Sequence, residues 1–344
     1  MLFKKLFLFV LLPAALLFRG CGPEDVVNPV TPPVQQGGGN GEGGGNGNGG
    51  GETPGTPSGG DAVSMTVCTF NIRYANTADK YPDGTSAAWS VRKEPVKKFL
   101  DATKPDLIGL QEVRKEQSQW FATLSSEYGY YDVSRDKASG SSVSSAGGEG
   151  VGIMYRKDRF ELELKDFFWL DDKPRERPAQ NSDGTYGAWN SACRRVTVYA
   201  KLKDKKNGTT VYFLPTHYDH KSSDARKKAA ELNVEQIKAI CKVTDIKNAA
   251  NVVIFHVGDL NTTSESSEMK PLMDAMNYAR LSVDGTDKYT GTFNGFGDSN
   301  KIIDHIFYGG KAVKPVKYWV DRSTAYGVPF LSDHYPVLFK WEYQ

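Results

Sequence analysis

Carboxylate, amide and imidazole side chains stand at or near the ends of successive apolar runs in this sequence. In chain order they are Asn71, Glu112, His217, Asp259, Asn261, Asp304, Asp333 and His334. A single case has a simple structural explanation, because Asp and Asn often cap a helix or form a turn. A glutamate such as Glu112 at the end of a buried strand, however, needs a partner or a metal ion to be tolerated. The recurrence of this pattern along the chain therefore predicts one shared site.

The residue types in this set indicate hydrolysis of a phosphoester. Oxygen ligands without cysteine favour Mg²⁺, or else Mn²⁺ or Ca²⁺, over Zn²⁺. No serine or cysteine nucleophile signature accompanies the set, so we expect direct attack by water on a phosphorus centre. In such a reaction the protein positions the reactants and neutralises the charge on the phosphoryl oxygens.

The apolar patterns around these residues predict many strands and a few helices. Strands are predicted at Ser64–Ile72, Asp106–Val113, Gly150–Tyr155, Phe160–Leu170, Ala192–Lys203, Thr210–Thr216, Asn251–Val257, Ile302–Tyr308, Val313–Trp319 and Tyr335–Trp341. Helices are predicted at Trp89–Ala102 and Ser222–Cys241, where apolar residues recur at helical spacing. This mixture points to an α+β fold with a single core.

The N-terminal residues 1–20 have the pattern of a secretory signal peptide. Two lysines precede the apolar run Leu6–Phe18, which is shorter than the ~20 residues of a membrane-spanning helix. The run leads to Gly20-Cys21, which resembles a bacterial lipobox except that Arg19 replaces the usual small or apolar residue. We therefore expect Cys21 to be lipidated. The alternative is plain cleavage near Gly20 that leaves a free cysteine.

Residues 21–61 are predicted to be the lipidated cysteine followed by a disordered linker. They consist mainly of Gly, Asn, Pro and Thr, and such a segment buries too little apolar surface to offset its ordering entropy. The catalytic domain is then predicted at residues 62–344. Glu24 and Asp25 resemble acidic export signals of some Gram-negative bacteria. We thus expect a lipid-anchored protein of the bacterial cell envelope, at the outer membrane and facing outwards.

The bulk composition excludes little and demands no disulfide. Lys+Arg number 43 and Asp+Glu 41, for a formal charge of +2, without the clearly basic domain of a dedicated nucleic-acid binder. Once Cys21 is lipidated, three cysteines remain, an odd number. Cys68 and Cys193 lie in strand-like runs and are expected to be buried free thiols. We expect a monomer.

Six short segments, taken in order, resemble motifs of the endonuclease/exonuclease/phosphatase superfamily, which includes deoxyribonuclease I. They are residues 69–73 (TFNIR), 110–113 (LQEV), 215–220 (PTHYDH), 257–261 (VGDLN), 303–306 (IDHI) and 332–337 (SDHYPV). Each segment alone is a weak signal, but the ordered set is specific and covers the whole predicted domain. The resemblance is strongest to the secreted bacterial branch. It implies a four-layer αββα sandwich of two mixed β-sheets packed face to face, with helices outside.

The resemblance also implies roles for the residues of the site. Glu112 is expected to be the main metal ligand, with Asn71 and Asp333 beside it. Phosphate contacts are expected from Asn71, His217, Asn261 and Arg195, with Arg73 or Arg92 as further candidates. Asp259 and Asn261 are expected to position or deprotonate water. His334, held by Asp304, is expected to act on the phosphoryl oxygens or as an acid or base.

The substrate is less well determined than the chemistry. A basic group at Lys221 and Arg226–Lys228 could bind DNA, but a solvated helix face is the simpler interpretation. Trp169, Trp189 and Phe296 are expected on rim loops, where they could stack on a sugar or a base. For Trp169, packing in the core is an equal alternative. We favour a phosphomonoester or phosphodiester of a small or glycan-linked substrate. An extracellular nuclease is the alternative, and a catalytically inactive surface protein that binds a ligand is a different class.

Overall fold

The computed structural model describes residues 63–136 and 140–344. The signal peptide, Cys21 and the linker predicted for residues 1–61 lie outside the described residues. The described part of the chain contains two six-stranded sheets and five α-helices. None of its helices combines the length and the apolar character that crossing a membrane requires.

The two sheets are both mixed. The first contains β1 (Ser64–Asn71), β2 (Leu107–Val113), β3 (Tyr128–Ser134), β4 (Gly150–Arg156), β11 (Val313–Val320) and β12 (Val337–Tyr343). The second contains β5 (Phe160–Trp169), β6 (Val196–Asp204), β7 (Thr210–His217), β8 (Val252–Asp259), β9 (Asn277–Tyr278) and β10 (Asp304–Gly309). Their strand orders are β11-β12-β1-β2-β4-β3 and β5-β6-β7-β8-β10-β9. Only β1 with β2 and β7 with β8 run parallel among the named strand pairs of the described residues.

The helices cover the outer faces of the sheets. They are α1 (Trp89–Thr103), α2 (Lys115–Thr123), α3 (Val143–Ala146), α4 (Ser223–Cys241) and α5 (Lys270–Ala275). In α4, Ala225, Ala229, Ile237 and Cys241 recur on one buried face, as expected for an amphipathic helix. Ser222 caps its first turn by accepting a hydrogen bond from the backbone N–H of Ala225.

Three apolar layers hold the sandwich together. Between the sheets, the rings of Phe255 in β8 and Trp341 in β12 lie 5.4 Å apart. On the outer face of the first sheet, Phe99 of α1 packs edge-to-face on Phe70 at 5.8 Å. On the outer face of the second sheet, α4 packs its buried side, including Ile237, into a separate cluster. The predicted αββα sandwich of two mixed sheets is therefore confirmed.

The sheets approach each other closely at Gly109 in β2. A Cβ atom on Gly109 would lie 2.7 Å from Cβ of Pro215 and 2.8 Å from Cγ2 of Val257, both in the opposite sheet. Real Cβ atoms essentially never come that close, so only glycine fits here without a shift. This contact lies two to three residues from Glu112, His217 and Asp259, and it brings the site-bearing ends of the two sheets together.

Several element predictions differ from the structure in instructive ways. The predicted strand Ala192–Lys203 begins at Val196, because residues 192–195 form a turn. Helix α2 and strand β3 were not predicted from the sequence. Helix α2 buries mainly polar residues, so it lacks an apolar period, and the sequence of β3 contains a glycine within a short tyrosine-rich run.

The three described cysteines are buried, as the sequence predicts for Cys68 and Cys193. Cys68, Cys193 and Cys241 are all buried and none forms a disulfide. Cys68 lies in β1 as predicted. Cys193, by contrast, lies in the turn before β6 and not in a strand.

Candidate active site

The strand topology brings the predicted polar residues to one end of the sandwich. Parallel β1 and β2 end together, with Asn71 beside Gln111. Parallel β7 and β8 also end together, with His217 beside Asp259. Strand β10 runs in the opposite direction and begins at Asp304, which pairs with Asp259. The loop that precedes β12 brings Asp333 and His334 to the same end of the sandwich.

Asn71 joins the ends of the two sheets. Its Nδ2 donates hydrogen bonds to Oε1 of Glu112 at 3.1 Å and to Oδ2 of Asp259 at 3.0 Å. The other carboxylate oxygen of Glu112 accepts from the backbone N–H of Tyr74 at 3.1 Å. An amide from the first sheet is thus fixed between one carboxylate of each sheet, and this sets their separation.

His334 and Asp304 form a buried ion pair. Nδ1 of His334 lies 2.8 Å from Oδ2 of Asp304, and Nε2 lies 3.7 Å from Oδ2 of Asp259. Burial opposes protonation of the ring, but the charges of Asp304 and Asp259 outweigh it and raise the pKa of His334 to about 10. His334 is therefore an imidazolium at neutral pH. The ring of Phe293 lies 4.9 Å from it.

His217, unlike His334, is neutral. Its Nε2 lies 3.5 Å from Oδ2 of Asp259 and 3.1 Å from Nδ2 of Asn261. Burial, followed by the positive charges of Arg195 and Arg135, lowers the pKa of His217 well below its usual value. The site therefore holds one cationic and one neutral imidazole on either side of Asp259. Burial also raises the pKa of Asp259 to about 7, with His334 opposing the shift.

Arg73 connects two carboxylates of the first-sheet side. It binds Asp79 through two hydrogen bonds of 3.0 and 3.1 Å, and its Nη1 lies 3.6 Å from Oδ2 of Asp333. Burial and then the charge of Glu112 raise the pKa of Asp333, although His334 opposes this most strongly among its neighbours. Burial alone would raise the pKa of Glu112, but Arg73 and His334 outweigh it and the net shift is downward.

Three residues of the site have a left-handed backbone conformation. Their φ angles are 53° at Arg73, 62° at Glu112 and 51° at Asn261. Two are held locally, because Oδ1 of Asn71 accepts the N–H of Arg73 and Oδ1 of Asp259 accepts that of Asn261. Non-glycine residues in this region cost energy and persist where the surroundings enforce them, often at functional sites.

Two sets of donors are candidates for a divalent cation. One atom each from Asp259, Asp304 and His334 lies within 4.8 Å of the others. Nδ1 of His334, however, is already bonded to Asp304, and an imidazolium has no free lone pair to offer. The predicted set of Glu112, Asn71 and Asp333 offers oxygen atoms from a half-buried carboxylate, a buried amide and a buried carboxylate. The second set fits a hard cation better.

The predicted arginines lie in different places. Arg195 is buried next to His217, with Nη2 at 3.1 Å from Nδ1 of His220 and Nε at 3.9 Å from Asp219. Its Nη1 is buried and has no hydrogen-bond partner within the part of the chain that the structure describes. Arg92 is fully buried and donates to backbone carbonyls. The expectation that Arg92 contacts phosphate is therefore wrong.

The predicted rim residues divide between core and surface. Trp169 is buried, as its core-packing alternative predicts. Trp189 is buried as well, so the expectation that it stacks on a ligand is wrong. Phe296 is half-buried, has a φ of 56° and packs edge-to-face on Tyr81.

The basic group on α4 is engaged with acidic neighbours. Arg226 binds Glu268 at 2.6 Å, and Lys228 binds Asp224 at 2.7 Å. These contacts favour the interpretation of the basic group as a helix face over its interpretation as a DNA-binding site.

Sequence reasoning assigned no role to a second charged cluster beside the site. Nη1 of Arg135 lies 2.6 Å from Oε1 of Glu149, and Arg114 lies 3.6 Å from the other oxygen. Residues 135 and 149 flank the paired strands β3 and β4, where Ser134 faces Gly150. Arg135 and Glu149 stand just beyond strand ends, as the predicted site residues do. This position is the signal by which the sequence could have indicated them.

These features define a hydrolase-type site for an anionic substrate. Carboxylates, amides and two imidazoles meet at one end of a two-sheet sandwich, with arginines around them. Their chemistry suits orientation of water and neutralisation of charge on a phosphoryl group.

Comparison with known proteins agrees with that class. The model of the Endonuclease/Exonuclease/phosphatase family matches residues 68–334, and the chain belongs to this family. It is thus an enzyme that acts on phosphoester bonds, in a family whose members typically depend on a divalent metal. A search of curated proteins finds no match.

Solved structures show the same similarity along the domain. An endonuclease/exonuclease/phosphatase from Bacteroides vulgatus is 29% identical, with a TM-score of 0.66 and coverage of 82% of this chain and 100% of that one. The mannosyl-6-phosphatase of Bacteroides thetaiotaomicron is 26% identical, with a TM-score of 0.66 and coverage of 81% and 99%. TDP2 from Caenorhabditis elegans, at 17% identity, a TM-score of 0.59 and coverage of 81% and 74%, shares the fold.

Proposed function

We propose that the protein is a divalent-metal-dependent phosphatase that hydrolyses the phosphomonoester of a small sugar or of a glycan. The observation that carries the proposal is the meeting of both sheets at Asp259. Its Oδ2 accepts from Asn71 at 3.0 Å and lies 3.5 Å from His217 and 3.7 Å from His334. This arrangement can hold a water molecule and a phosphoryl group between an acceptor and several donors.

Glu112, Asn71 and Asp333 are the residues that would hold the metal in this proposal. We favour Mg²⁺, with Mn²⁺ or Ca²⁺ as alternatives, because the donors are oxygen atoms. A bound divalent ion would neutralise negative charge on the phosphoryl oxygens. The charge of Arg73 beside Asp333 keeps this side of the site from being uniformly negative.

The protein's own residues would carry the proton and charge chemistry. The pKa of Asp259, raised by burial to about 7, suits a carboxylate that accepts a proton from the attacking water near neutral pH. Asn261, whose Nδ2 already donates to the ring of His217 and to the carbonyl of Tyr218, would position the attacking water through its Oδ1. Neutral His217 would donate a hydrogen bond to a phosphoryl oxygen. His334, a cation held by Asp304, would neutralise charge that develops as the oxygen–phosphorus bond to the sugar breaks.

Similarity to the mannosyl-6-phosphatase supports a sugar phosphate as substrate, since that relative matches over nearly the whole domain. The pairing of Arg226 and Lys228 with acidic neighbours gives no support to a DNA-binding strip on α4. A catalytically inactive binding protein would be expected to lack one of the central groups. Glu112, Asp259 and His334 are all present and connected.

The location of the protein is a further part of the proposal. The signal-like residues 1–20, the lipobox-like Cys21 and the polar linker to residue 61 support a lipid-anchored enzyme of the bacterial envelope, at the outer membrane and facing outwards. A monomeric enzyme on a long tether could reach sugar phosphates near the cell surface.

The test is a phosphate-release screen of the full-length protein. Sugar phosphates, inositol phosphates, nucleotides, phospholipids and DNA are compared with and without added Mg²⁺, together with mono- and bis-p-nitrophenyl phosphate. We expect sugar monophosphates to give the highest kcat/KM and the mono-nitrophenyl ester to exceed the bis ester. EDTA should abolish both activities.

The Asp259→Asn variant is the matched control, because it keeps the shape of the side chain and removes the proton acceptor. It should release phosphate far more slowly from every substrate in the screen. Faster cleavage of the diester or of DNA would contradict the monoesterase assignment. Wild-type activity that persists in EDTA would contradict metal dependence.

A further inference from the structure

Arg92, in the first turn of α1, is fully buried, yet no carboxylate among the described residues forms an ion pair with it. Its guanidinium donates to four backbone carbonyls: Nε to Ala87 at 2.7 Å, Nη1 to Ile72 at 2.7 Å and to Leu331 at 3.0 Å, and Nη2 to Arg73 at 3.2 Å. Burying an isolated cation is costly unless its donors are satisfied. The fixed fork of a guanidinium satisfies several acceptors at once, which an ammonium group cannot do in the same geometry.

Three of the four carbonyls that Arg92 binds belong to the two segments that carry one side of the site. Ile72 and Arg73 follow Asn71 directly, at the end of β1. Leu331 precedes the Ser332–His334 segment. A second link joins the same segments, because Oγ of Ser332 donates to the carbonyl of Asn71 at 2.7 Å.

Arg92 also holds a strained piece of backbone. Arg73 has a φ of 53°, and its carbonyl accepts from Nη2 of Arg92 and from Nε2 of Gln117 at 2.8 Å. Two donors on one carbonyl oppose relaxation of this residue to the ordinary extended conformation. The backbone N–H of Arg73 is fixed as well, by Oδ1 of Asn71.

We propose that Arg92 is a positioning residue for catalysis. It fixes the Asn71–Arg73 segment relative to the Asp333–His334 segment, and so sets the distance between the predicted metal side of the site and the imidazolium. The expected change in kcat rests on the proposed phosphatase function. The claim that Arg92 fixes the two segments relative to each other does not. Misplacement of a catalytic group by about 1 Å can cost about 100-fold in rate.

The experiment compares full-length Arg92→Lys, Arg92→Met and Arg280→Met. Arg280 is the matched control because it is also buried, and its Nη1 donates to the carbonyls of Asp287, Lys288 and Thr290, outside the site. The measurements are kcat and KM for a sugar monophosphate, thermal melting and amide hydrogen exchange by peptide.

We expect both Arg92 variants to lose about 100-fold in kcat with KM within about 3-fold of the wild-type value. Hydrogen exchange should accelerate at residues 71–74 and 331–335 together. Arg280→Met should accelerate exchange near residues 286–290, lower the melting temperature and keep kcat within about 3-fold.

A folded Arg92→Lys protein with wild-type kcat and unchanged exchange at both segments would overturn the proposal. So would an Arg280→Met protein that loses as much kcat as the Arg92 variants. If Arg92→Met does not fold, Arg92→Lys and its exchange pattern decide. If the wild-type protein releases no phosphate, the proposed function fails, while joint loosening of the two segments still tests the role of Arg92.

Discussion

Asp259 is the residue at which the two imidazoles and the amide of Asn71 converge. One of its oxygens faces Asn71, His217 and His334, while the other is held by the backbone N–H of Asn261. Because burial raises the pKa of this carboxyl to about 7, it can both lose and gain a proton under ordinary conditions. Neutral His217 can then offer a substrate a hydrogen bond without a charge, whereas cationic His334 also offers a positive charge.

Replacement of Glu112 tests the predicted metal side of the site. Glu112→Ala removes a carboxylate that is linked to Asn71 at 3.1 Å and to the N–H of Tyr74 at 3.1 Å. Loss of a metal ligand should cost several kcal/mol of transition-state stabilisation, hence at least ~10²-fold in kcat. The measurement is kcat against Mg²⁺ concentration, with circular dichroism to show that the fold is retained.

Glu112→Gln is the companion variant, since it keeps the shape and one oxygen donor while removing the charge. It should lose less activity than Glu112→Ala and need more Mg²⁺ for half-maximal rate. Near-normal turnover of Glu112→Ala in an assay that EDTA still inhibits would remove Glu112 from the metal site.

The pH dependence of the rate tests the ion pair of Asp304 and His334. The pKa of His334 is raised to about 10, so its positive charge is present below that pH and is lost as the pH rises through it. Asp304→Asn removes the carboxylate 2.8 Å from Nδ1. The alkaline limb of the pH–rate profile should therefore move to lower pH, by about one unit or more.

A double substitution tests whether Asp304 and His334 act on the rate as a pair or contribute to it independently. If Asp304 and His334 act as one unit, Asp304→Asn combined with His334→Ala should be little worse than the worse single variant. Melting temperatures on the same preparations show whether Asp304 serves only to tie down β10. Multiplicative losses with an unshifted pH profile would contradict the pair.

At the scale of the elements, the sequence was most informative where parallel strands end. Asn71, His217 and Asp259 could be assigned to one site in advance, because each directly ends an apolar run. The structure adds that β7 and β8 are parallel, so His217 and Asp259 share one edge of the second sheet. Arg135 and Glu149 also stand just beyond strand ends, but β3 was not predicted, and the contacts of Arg92 could not be found this way. The partners of these two arginines are backbone carbonyls or residues distant in the sequence, and only the tertiary packing brings them into contact.

The missed elements have a related cause. Helix α2 buries Gln117 and Ser118 along with Phe121, so the apolar period that indicates a helix is absent from its sequence. Strand β3 forms the edge of the first sheet beside β4, and several of its residues are only half-buried. An edge strand of this kind carries a weak pattern of alternating polarity.

The close approach of the sheets gives a prediction about stability. Gly109→Ala places a Cβ atom 2.7 Å from Pro215 and 2.8 Å from Val257, so the strands must shift apart. Overpacking of this kind typically costs about 1–3 kcal/mol. Urea denaturation should show the loss, and kcat should fall as well because β2, β7 and β8 carry Glu112, His217 and Asp259.

Gly285→Ala is the matched control for this substitution. A Cβ atom at Gly285 meets nothing within 4 Å, so the free energy of unfolding should change by less than about 0.5 kcal/mol. Equal effects of the two substitutions would show that the contact between the sheets at Gly109 is not tight.

For the whole molecule, the near balance of charge bears on how substrate reaches the site. With Lys+Arg 43 and Asp+Glu 41, no large field steers a polyanion towards the domain. Recognition then depends on the groups of the site itself, in keeping with the small phosphorylated substrate that we propose.

The last prediction concerns the anchor, which we expect to be independent of catalysis because the predicted linker separates the two. Cys21→Ser removes the thiol that lipidation would modify, so the variant should move from the detergent phase to the aqueous phase in Triton X-114 partitioning. Its kcat and KM should equal those of the wild type. Cys241→Ser is the matched control, since Cys241 is buried in α4 and its loss should leave partitioning unchanged. A Cys21→Ser protein that stays in the detergent phase would show that another segment holds the protein at the membrane.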